Sequence, residues 1–260
     1  MKLRDILTPS LRRLREQLGQ PKEHKGLVEA CRADDSDFCR EVVASGQLTK
    51  EQMEHAAMKY RLGKSKSGKC IFWMIDEQGQ VRDGHVGDGW VSVMMKAREP
   101  KLLRDWHADH CLFGLHLLGS EELRMKNEES ILNEERRMKN EESRPAVCVV
   151  ESERSAVILS ELFPDCIWLA TVYAVNANVF SLRCLRGREA TLFPSTDETM
   201  DNYLSWCELA DEAQRKYGLH ITVSDILEQH ATAEQRERKI DIADYIFATL
   251  NNKYQITNNK

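Results

Sequence analysis

Acidic side chains follow two apolar runs in the C-terminal half of the chain. Glu151 comes directly after the run at residues 146–150, and Asp197 and Glu198 come shortly after the run at residues 189–193. Apolar runs of this kind are typical of strands buried on both faces of a parallel sheet. The carboxyl ends of parallel strands meet at one edge of a sheet, where such sheets place their ligands. The spacing therefore predicts an acidic site at this edge.

Carboxylates in this arrangement suit a hard divalent cation. Mg²⁺ takes oxygen ligands and often leaves several of its positions to water and phosphate. An ion held in that way can clamp a phosphodiester during phosphoryl transfer. We therefore predict Mg²⁺ as a cofactor, with Glu151 and Asp197 as its ligands. The alternative is a set of solvated acids at the starts of loops, which is a common arrangement.

A β–α–β unit over residues 145–171 is expected to position Glu151. Ser152 suits a helix cap and Glu153 suits a first helical turn. An apolar helical face then runs to Pro164, and a second buried run follows at residues 166–170. Such a crossover is right-handed in nearly all cases and makes its two strands parallel. Further strands are predicted at 189–193 and 219–223, with a long helix at 200–217 between them.

The sequence predicts a mixed α/β fold, in which a parallel sheet flanked by helices follows a helical segment and a small antiparallel β region. The small β region should contain a hairpin from Cys70 to Arg82 and a further strand at residues 90–95. A charged heptapeptide at 124–130 recurs at 137–143, which indicates a duplicated insert or linker. The predicted segments are a helical one (1–59), a β-rich subdomain (60–119), the repeat insert (120–144), the α/β domain (145–250) and a polar tail (251–260).

A basic loop before Cys70 matches the phosphate-binding pattern GxxxxGK. Residues 63–70 read GKSKSGKC, with Cys70 where a nucleotide-binding loop needs Ser or Thr to hold magnesium. A nucleotide-binding loop also runs from a strand into a helix, whereas this one leads into an apolar strand. We therefore predict a basic hairpin loop.

Charge and composition narrow the classes of function. The net charge is −5 and the pI is about 6.0, so the global charge does not favour a non-specific nucleic-acid binder. A local patch of Arg183, Arg186 and Arg188 is predicted to contact nucleic acid beside the acidic strand ends. The eight cysteines are spread widely and four of them lie in or beside apolar runs, which is typical of reduced thiols, and the absence of a CxxC pair argues against a zinc ribbon. We expect a cytoplasmic protein without a membrane segment.

The order of elements resembles the Toprim domain, the catalytic fold shared by bacterial primases, topoisomerases and related nucleases. Residues 147–151, Val-Cys-Val-Val-Glu, are similar to the strand of that family that ends in Glu. Residues 193–197, Phe-Pro-Ser-Thr-Asp, are similar to its later strand that ends in Asp-x-Asp. Two departures stand out: Ser152 replaces the usual Gly, and Ser195 replaces the first Asp. The second departure should lower the affinity for a metal ion.

The segments 150–156, 112–118 and 241–245 are similar to those of uncharacterised Toprim-like proteins of bacterial mobile elements. The resemblance implies primase-like or nuclease-like phosphodiester chemistry that depends on Mg²⁺, with Glu151, Asp197 and Glu198 as catalytic residues. The alternative is a non-catalytic Toprim-like module that binds nucleic acid or a replication partner. A third interpretation is a regulatory protein whose acidic clusters do no chemistry. Nucleic acid and replication or mobilisation proteins are the expected partners.

Overall fold

The computed structural model describes residues 25–87, 89–98, 110–119, 144–172 and 177–258. The helix expected before residue 25 and nearly all of the predicted repeat insert lie outside the described residues. Three short helices open the described chain, α1 (Lys25–Cys31), α2 (Asp37–Ala44) and α3 (Lys50–Lys59). Ser36 caps α2, and Thr49 forms a capping box with Gln52 at the start of α3. These three helices account for most of residues 25–59, which lie in the predicted helical segment.

An antiparallel sheet follows these helices. Its strands lie in the order β1-β2-β3-β4, so each strand pairs with its neighbour in sequence. The basic loop joins β1 to β2 within a hairpin, which confirms the hairpin interpretation over the nucleotide-binding loop. The strands are β1 (Gly63–Lys64), β2 (Cys70–Ile75), β3 (Val81–Val86) and β4 (Gly89–Trp90).

The strand predicted at residues 90–95 is wrong, because the chain forms helix α4 (Val91–Arg98) directly after β4. Its start is held by Asp83, a buried carboxylate on β3. Asp83 Oδ1 accepts a hydrogen bond from the backbone N of Ser92 at 3.0 Å, and its Oδ2 accepts one from Ser92 Oγ at 2.6 Å. A carboxylate at a helix N-terminus stabilises the helix through the unpaired N–H groups there.

A parallel sheet of four strands forms the second half of the fold. Its order is β6-β5-β7-β8, and every pair is parallel. The predicted β–α–β unit is confirmed, since β5 pairs with β6 and α5 connects them. The strands are β5 (Val147–Val150), β6 (Ile167–Ala170), β7 (Glu189–Leu192) and β8 (His220–Val223). The helices are α5 (Glu153–Leu162), α6 (Val179–Leu182), α7 (Asp201–Tyr217), α8 (Ile226–His230), α9 (Ala233–Glu237) and α10 (Ile242–Asn258), with a 3-10 turn at Arg183–Leu185.

The two sheets share a hydrophobic core. Tyr60, at the end of α3, is fully buried, and its hydroxyl donates to the carbonyl of Trp168 on β6 at 2.7 Å. Its ring stacks on Phe113 at 5.1 Å, and Phe113 forms a β-bridge with Ala170. One continuous cluster of buried residues includes side chains from α2, β2, β5 and α5. The core therefore runs across the predicted boundary at residues 59 and 60 and joins the N-terminal elements to the parallel sheet.

Candidate functional site

The strand order of the parallel sheet places a crevice at the end of β5. The chain leaves β5 toward β6 on one side and later returns to β7 on the other side, so the order reverses between β5 and β7. Open α/β sheets bind ligands at such a switch point, outside the carboxyl ends of the strands. Glu151 follows β5 and Ser195 lies shortly after β7. The two strand ends lie side by side, because Ser195 N donates to Glu151 Oε1 at 3.1 Å.

A cleft of about 370 Å³ opens at this point, and acidic side chains dominate its wall. Glu151 and Ser195 contribute from the strand ends, and other side chains come from β3, the start of α5, the end of β6 and the approach to α10. The lining residues are His85, Glu151, Ser152, Glu153, Val172, Ser195, Lys239, Asp241 and Asp244. Within the described ranges, no group of three or more His, Cys, Asp or Glu residues is arranged to hold a metal ion.

Glu151 is half-buried, and only one of its two carboxylate oxygens forms hydrogen bonds with the described residues. Its Oε1 accepts hydrogen bonds from Ser195 N at 3.1 Å and from Asn202 Nδ2 at 2.7 Å. Asn202 Nδ2 also donates to the carbonyl of Ser195 at 2.7 Å, so this amide ties the end of β5 to the segment after β7. The second oxygen, Oε2, forms no hydrogen bond with any described residue. The arrangement fixes the carboxylate in the cleft and leaves one oxygen for a ligand.

Asp197 has a different role from Glu151, because its carboxylate caps α7. Oδ1 accepts hydrogen bonds from the backbone N of Thr199 at 2.9 Å and of Asp201 at 3.2 Å, and Oδ2 accepts one from Asn202 N at 2.8 Å. Burial opposes the charge, but the backbone N–H groups of Asn202, Thr199 and Met200 hold the pKa of Asp197 below its ordinary value. Its neighbour Glu198 is exposed. Metal binding by Asp197 and catalysis by Glu198 stay predictions.

The backbone around the cleft has two unusual conformations. Val172, which follows β6, has a φ of 74°, and Lys239, which precedes Asp241, has a φ of 53°. A positive φ is costly for a β-branched residue and is found mainly where the surrounding structure imposes it, often at functional sites. Beside Val172, the hydroxyl of Thr171 is buried and has no hydrogen-bond partner among the described residues. Strain and an unpaired polar atom therefore lie at the same end of the sheet as Glu151.

Asp241 was not identified as a site residue by sequence reasoning. Its Oδ1 accepts hydrogen bonds from the backbone N of Ala243 at 2.9 Å and of Asp244 at 3.1 Å at the start of α10, and its Oδ2 accepts one from Ser155 Oγ. Burial raises the pKa of Asp241 despite these hydrogen bonds. The sequence does show an acid before an apolar helical run, which is typical of a helix cap. Nothing local to residue 241 indicates that it lines a cleft with Glu151.

His85 was also missed, and it connects the cleft to the antiparallel sheet. Its Nδ1 forms a hydrogen bond with Glu153 at the start of α5. Its ring lies 5.2 Å from that of Trp90, whose ring in turn lies 3.9 Å from that of His110. His110 Nε2 forms a hydrogen bond with Asp83 Oδ2 at 3.1 Å. A histidine within a strand of mixed polarity gives no signal that its partner lies in a helix after residue 150.

The three arginines of the predicted basic patch do not flank the acidic strand ends. Arg186 and Arg188 precede β7, whereas Asp197 follows it, so they lie at the opposite end of that strand. Arg188 is only 6% exposed, and its Nη2 donates to the carbonyl of Leu118 at 3.4 Å. Arg183 is exposed and its guanidinium lies 3.5 Å from the centre of the Phe180 ring. Nucleic-acid binding by these residues stays a prediction. It is no longer supported by a location beside the acidic strand ends.

Fold and site together define a mixed α/β protein with an acidic cleft at the switch point of a parallel sheet. A protein family described as a domain of unknown function, DUF6371, matches residues 42–136 and 123–196. These ranges cover more than half of the 260 residues, so the chain belongs to this family. Neither a curated protein nor a solved structure matches the chain. No helix in the described part of the chain is long and apolar enough to cross a membrane.

Proposed function

We propose that the cleft binds Mg²⁺ together with a phosphate group of nucleic acid, and that the chain is a Toprim-like protein of primase-like or nuclease-like phosphodiester chemistry. The observation that carries the proposal is the position of Glu151. It lies at the switch point, lines the cleft, and keeps one carboxylate oxygen outside its hydrogen bonds. Ligands of α/β sheets bind at this position, and Mg²⁺ prefers this type of ligand.

The donor set fits an ion that keeps much of its water. Mg²⁺ is usually bound by one or two carboxylates, with the remaining positions filled by water and substrate phosphate. Glu151 Oε2 meets this requirement, whereas both oxygens of Asp197 already accept backbone hydrogen bonds. Glu151 is therefore the ligand on which the proposal depends. A bound ion would polarise a phosphoryl oxygen and offset negative charge on the phosphate.

Lys239 and Asn202 would assist the substrate and the ion, respectively. Lys239 is the cation that lies among the acidic lining residues, and it would attract a phosphate group. Asn202 holds Glu151 in one position through its 2.7 Å hydrogen bond and so limits the rearrangement needed when an ion binds.

A second candidate is a non-catalytic Toprim-like module that binds nucleic acid or a replication partner. Two observations favour it: Ser195 occupies the position of a carboxylate in the Toprim pattern, and Asp197 is committed to the cap of α7. The resemblance of residues 150–156 to proteins of bacterial mobile elements supports a role beside replication or mobilisation proteins in the cytoplasm. This second candidate uses the same cleft to bind its partner as the first, but it catalyses no phosphodiester reaction.

The test is an activity assay on labelled single-stranded DNA and RNA, with Mg²⁺ and with a chelator. We expect cleavage, or primer synthesis when nucleoside triphosphates are added, that needs Mg²⁺ and is lost in Glu151→Gln. A matched control is Glu189→Gln, which removes an exposed carboxylate at the opposite end of the parallel sheet. Equal activity in wild type and Glu151→Gln would contradict the proposal. Binding of the oligonucleotides without any reaction would favour the non-catalytic module.

A further inference from the structure

A second cavity, formed by other residues than the acidic cleft, lies on the antiparallel sheet. Its volume is about 760 Å³, which falls within the range of small-molecule binding sites. One side of it consists of apolar side chains from α1, β2, β3 and α4, namely Leu27, Ile71, Trp73, Val86, Val91 and Met94. The other side is the basic hairpin loop between β1 and β2, with Ser65, Lys66, Ser67 and Lys69. The cavity therefore has an apolar wall and a cationic wall.

The cationic wall is a structured turn. Ser65 N donates to the carbonyl of Lys69 at 2.9 Å, and Gly68 N donates to the carbonyl of Ser65 at 2.9 Å. Lys69 Nζ lies directly over Gly87, since a Cβ at Gly87 would come within 3.1 Å of it. The ammonium groups of Lys66 and Lys69 form no ion pair within the described residues, whereas the neighbouring Lys64 is paired with Asp35. Two cations at the edge of an apolar cavity are available to an anion.

The apolar wall contains a polar atom without a partner. Trp73 is fully buried, and its Nε1 has no hydrogen-bond acceptor in the described part of the chain. A buried donor left without an acceptor is unfavourable. This atom lies beside Gly63, where a Cβ would come within 2.8 Å of it. Orientation of a ligand by one or two polar groups in a mainly apolar cavity is the usual pattern of small-molecule sites.

We infer that this cavity binds an amphiphilic organic anion. The apolar body of the molecule would lie against Ile71, Trp73 and Val91, and its single carboxylate, sulfonate or phosphate group would contact Lys66 and Lys69. The GxxxxGK sequence would thus serve an anion, although its hairpin context excludes the nucleotide-binding loop that the pattern suggests. This site is independent of the acidic cleft and of the function proposed for it.

The test uses two fluorescent probes that share an apolar body. Anilinonaphthalene sulfonate carries a charge, and phenylnaphthylamine does not. We expect the folded protein to bind both dyes saturably. The double variant Lys66→Gln with Lys69→Gln should weaken the binding of the charged dye by about tenfold, as expected for the loss of two partly exposed ion pairs. It should leave the binding of the neutral dye unchanged. The control variant Lys50→Gln with Lys216→Gln removes the same charge from outside the cavity and should not change the binding of either dye.

A second variant tests the apolar wall. Met94 is 39% exposed and lines the cavity, so Met94→Asp adds a carboxylate there at a position that tolerates polarity. This substitution should weaken the binding of both dyes, and the binding of the charged dye more. Met58→Asp changes an equally apolar residue that is 58% exposed and outside the cavity, and should change neither. Decanoate should displace the charged dye, whereas inorganic phosphate should not.

Three results would overturn the inference. The first is equal binding of the charged dye by wild type and the double lysine variant. The second is no effect of Met94→Asp on either dye, because the dyes would then bind elsewhere. The third is displacement by inorganic phosphate as effective as that by decanoate, because the site would then take anions without an apolar body.

Discussion

The end of β5 and the segment after β7 each carry a carboxylate at the same edge of one sheet, yet the two carboxylates are used differently. Glu151 accepts hydrogen bonds on one oxygen and lines the cleft. Asp197 accepts backbone hydrogen bonds on both oxygens and holds the start of α7. The sequence pattern treats the two residues alike, because it records where the strands end. Their hydrogen bonds distinguish them, because only Glu151 keeps a carboxylate oxygen outside its hydrogen bonds with the described residues.

The largest expected difference between the two residues is in stability. Asp197→Ala leaves several N–H groups at the start of α7 without their acceptor, so it should lower the free energy of unfolding by about 1–2 kcal/mol. Glu151→Gln keeps an acceptor oxygen for Ser195 N and should cost less than about 1 kcal/mol. Urea unfolding measures both. Glu198→Ala, which removes the exposed neighbour of Asp197, is the control and should change stability by less than about 0.5 kcal/mol.

Equal losses of stability in Asp197→Ala and Glu151→Gln would break the comparison, since both carboxylates would then be structural.

A smaller effect is expected in the dependence of stability on pH. The folded state lowers the pKa of Asp197 from its ordinary 3.8, so its contribution is present above about pH 4 and is lost as the pH falls through the folded value. The folded state raises the pKa of Asp241, so its contribution has the opposite sign and declines as the pH rises above the ordinary value of 3.8. Thermal melting between about pH 3 and pH 6 measures both contributions.

Asn substitutions separate these two contributions. Asp197→Asn removes a contribution that grows with pH, so the free energy of unfolding should rise less steeply from acid to neutral pH. Asp241→Asn removes a contribution that declines with pH, so the free energy of unfolding should rise more steeply. Changes of the same sign in both variants would contradict the assigned directions.

The smallest effect concerns Ser195, whose backbone N donates to Glu151 Oε1. Ser195→Asp gives residues 195–197 the sequence Asp-x-Asp and places a second carboxylate in the cleft beside Glu151. Without a cation, the two charges repel each other, so the unfolding free energy should fall by less than about 1 kcal/mol. With Mg²⁺, the added ligand should give a larger stabilisation than in wild type. Melting with and without Mg²⁺ measures both changes, and Ser195→Asn is the neutral control.

An unchanged response of Ser195→Asp to Mg²⁺ would place Ser195 away from any metal site.

Much of the fold could be predicted because its signals are local. The buried runs of β5 and β6, the cap at Ser152 and the terminating Gly218 all act within a few residues of the elements they define. Helix α4 could not be predicted, because the carboxylate that holds its start comes from Asp83 on another strand. A run such as Trp90–Met95 fits a buried strand as well as a helix until that contact forms.

The candidate site was predictable only in part, for the same reason. The position of Glu151 follows from strand direction, which a β–α–β unit determines. The role of Asp197 depends on Met200, whose left-handed φ of 65° brings the N–H groups of α7 to the carboxylate. His85, Lys239 and Asp241 reach the cleft through tertiary packing between elements far apart in sequence. The buried location of Arg188 likewise depends on its contact with Leu118, which no local pattern indicates.

Titration of the protein with Mg²⁺ by calorimetry tests the central claim most directly, because it compares Glu151 and Asp197 in one experiment. We expect saturable binding to wild type, at least about tenfold weaker binding to Glu151→Gln, and nearly unchanged binding to Asp197→Asn, whose side chain can still cap a helix. Binding of Mg²⁺ to Glu151→Gln as tight as to wild type would contradict the claim that Glu151 binds Mg²⁺ in the cleft.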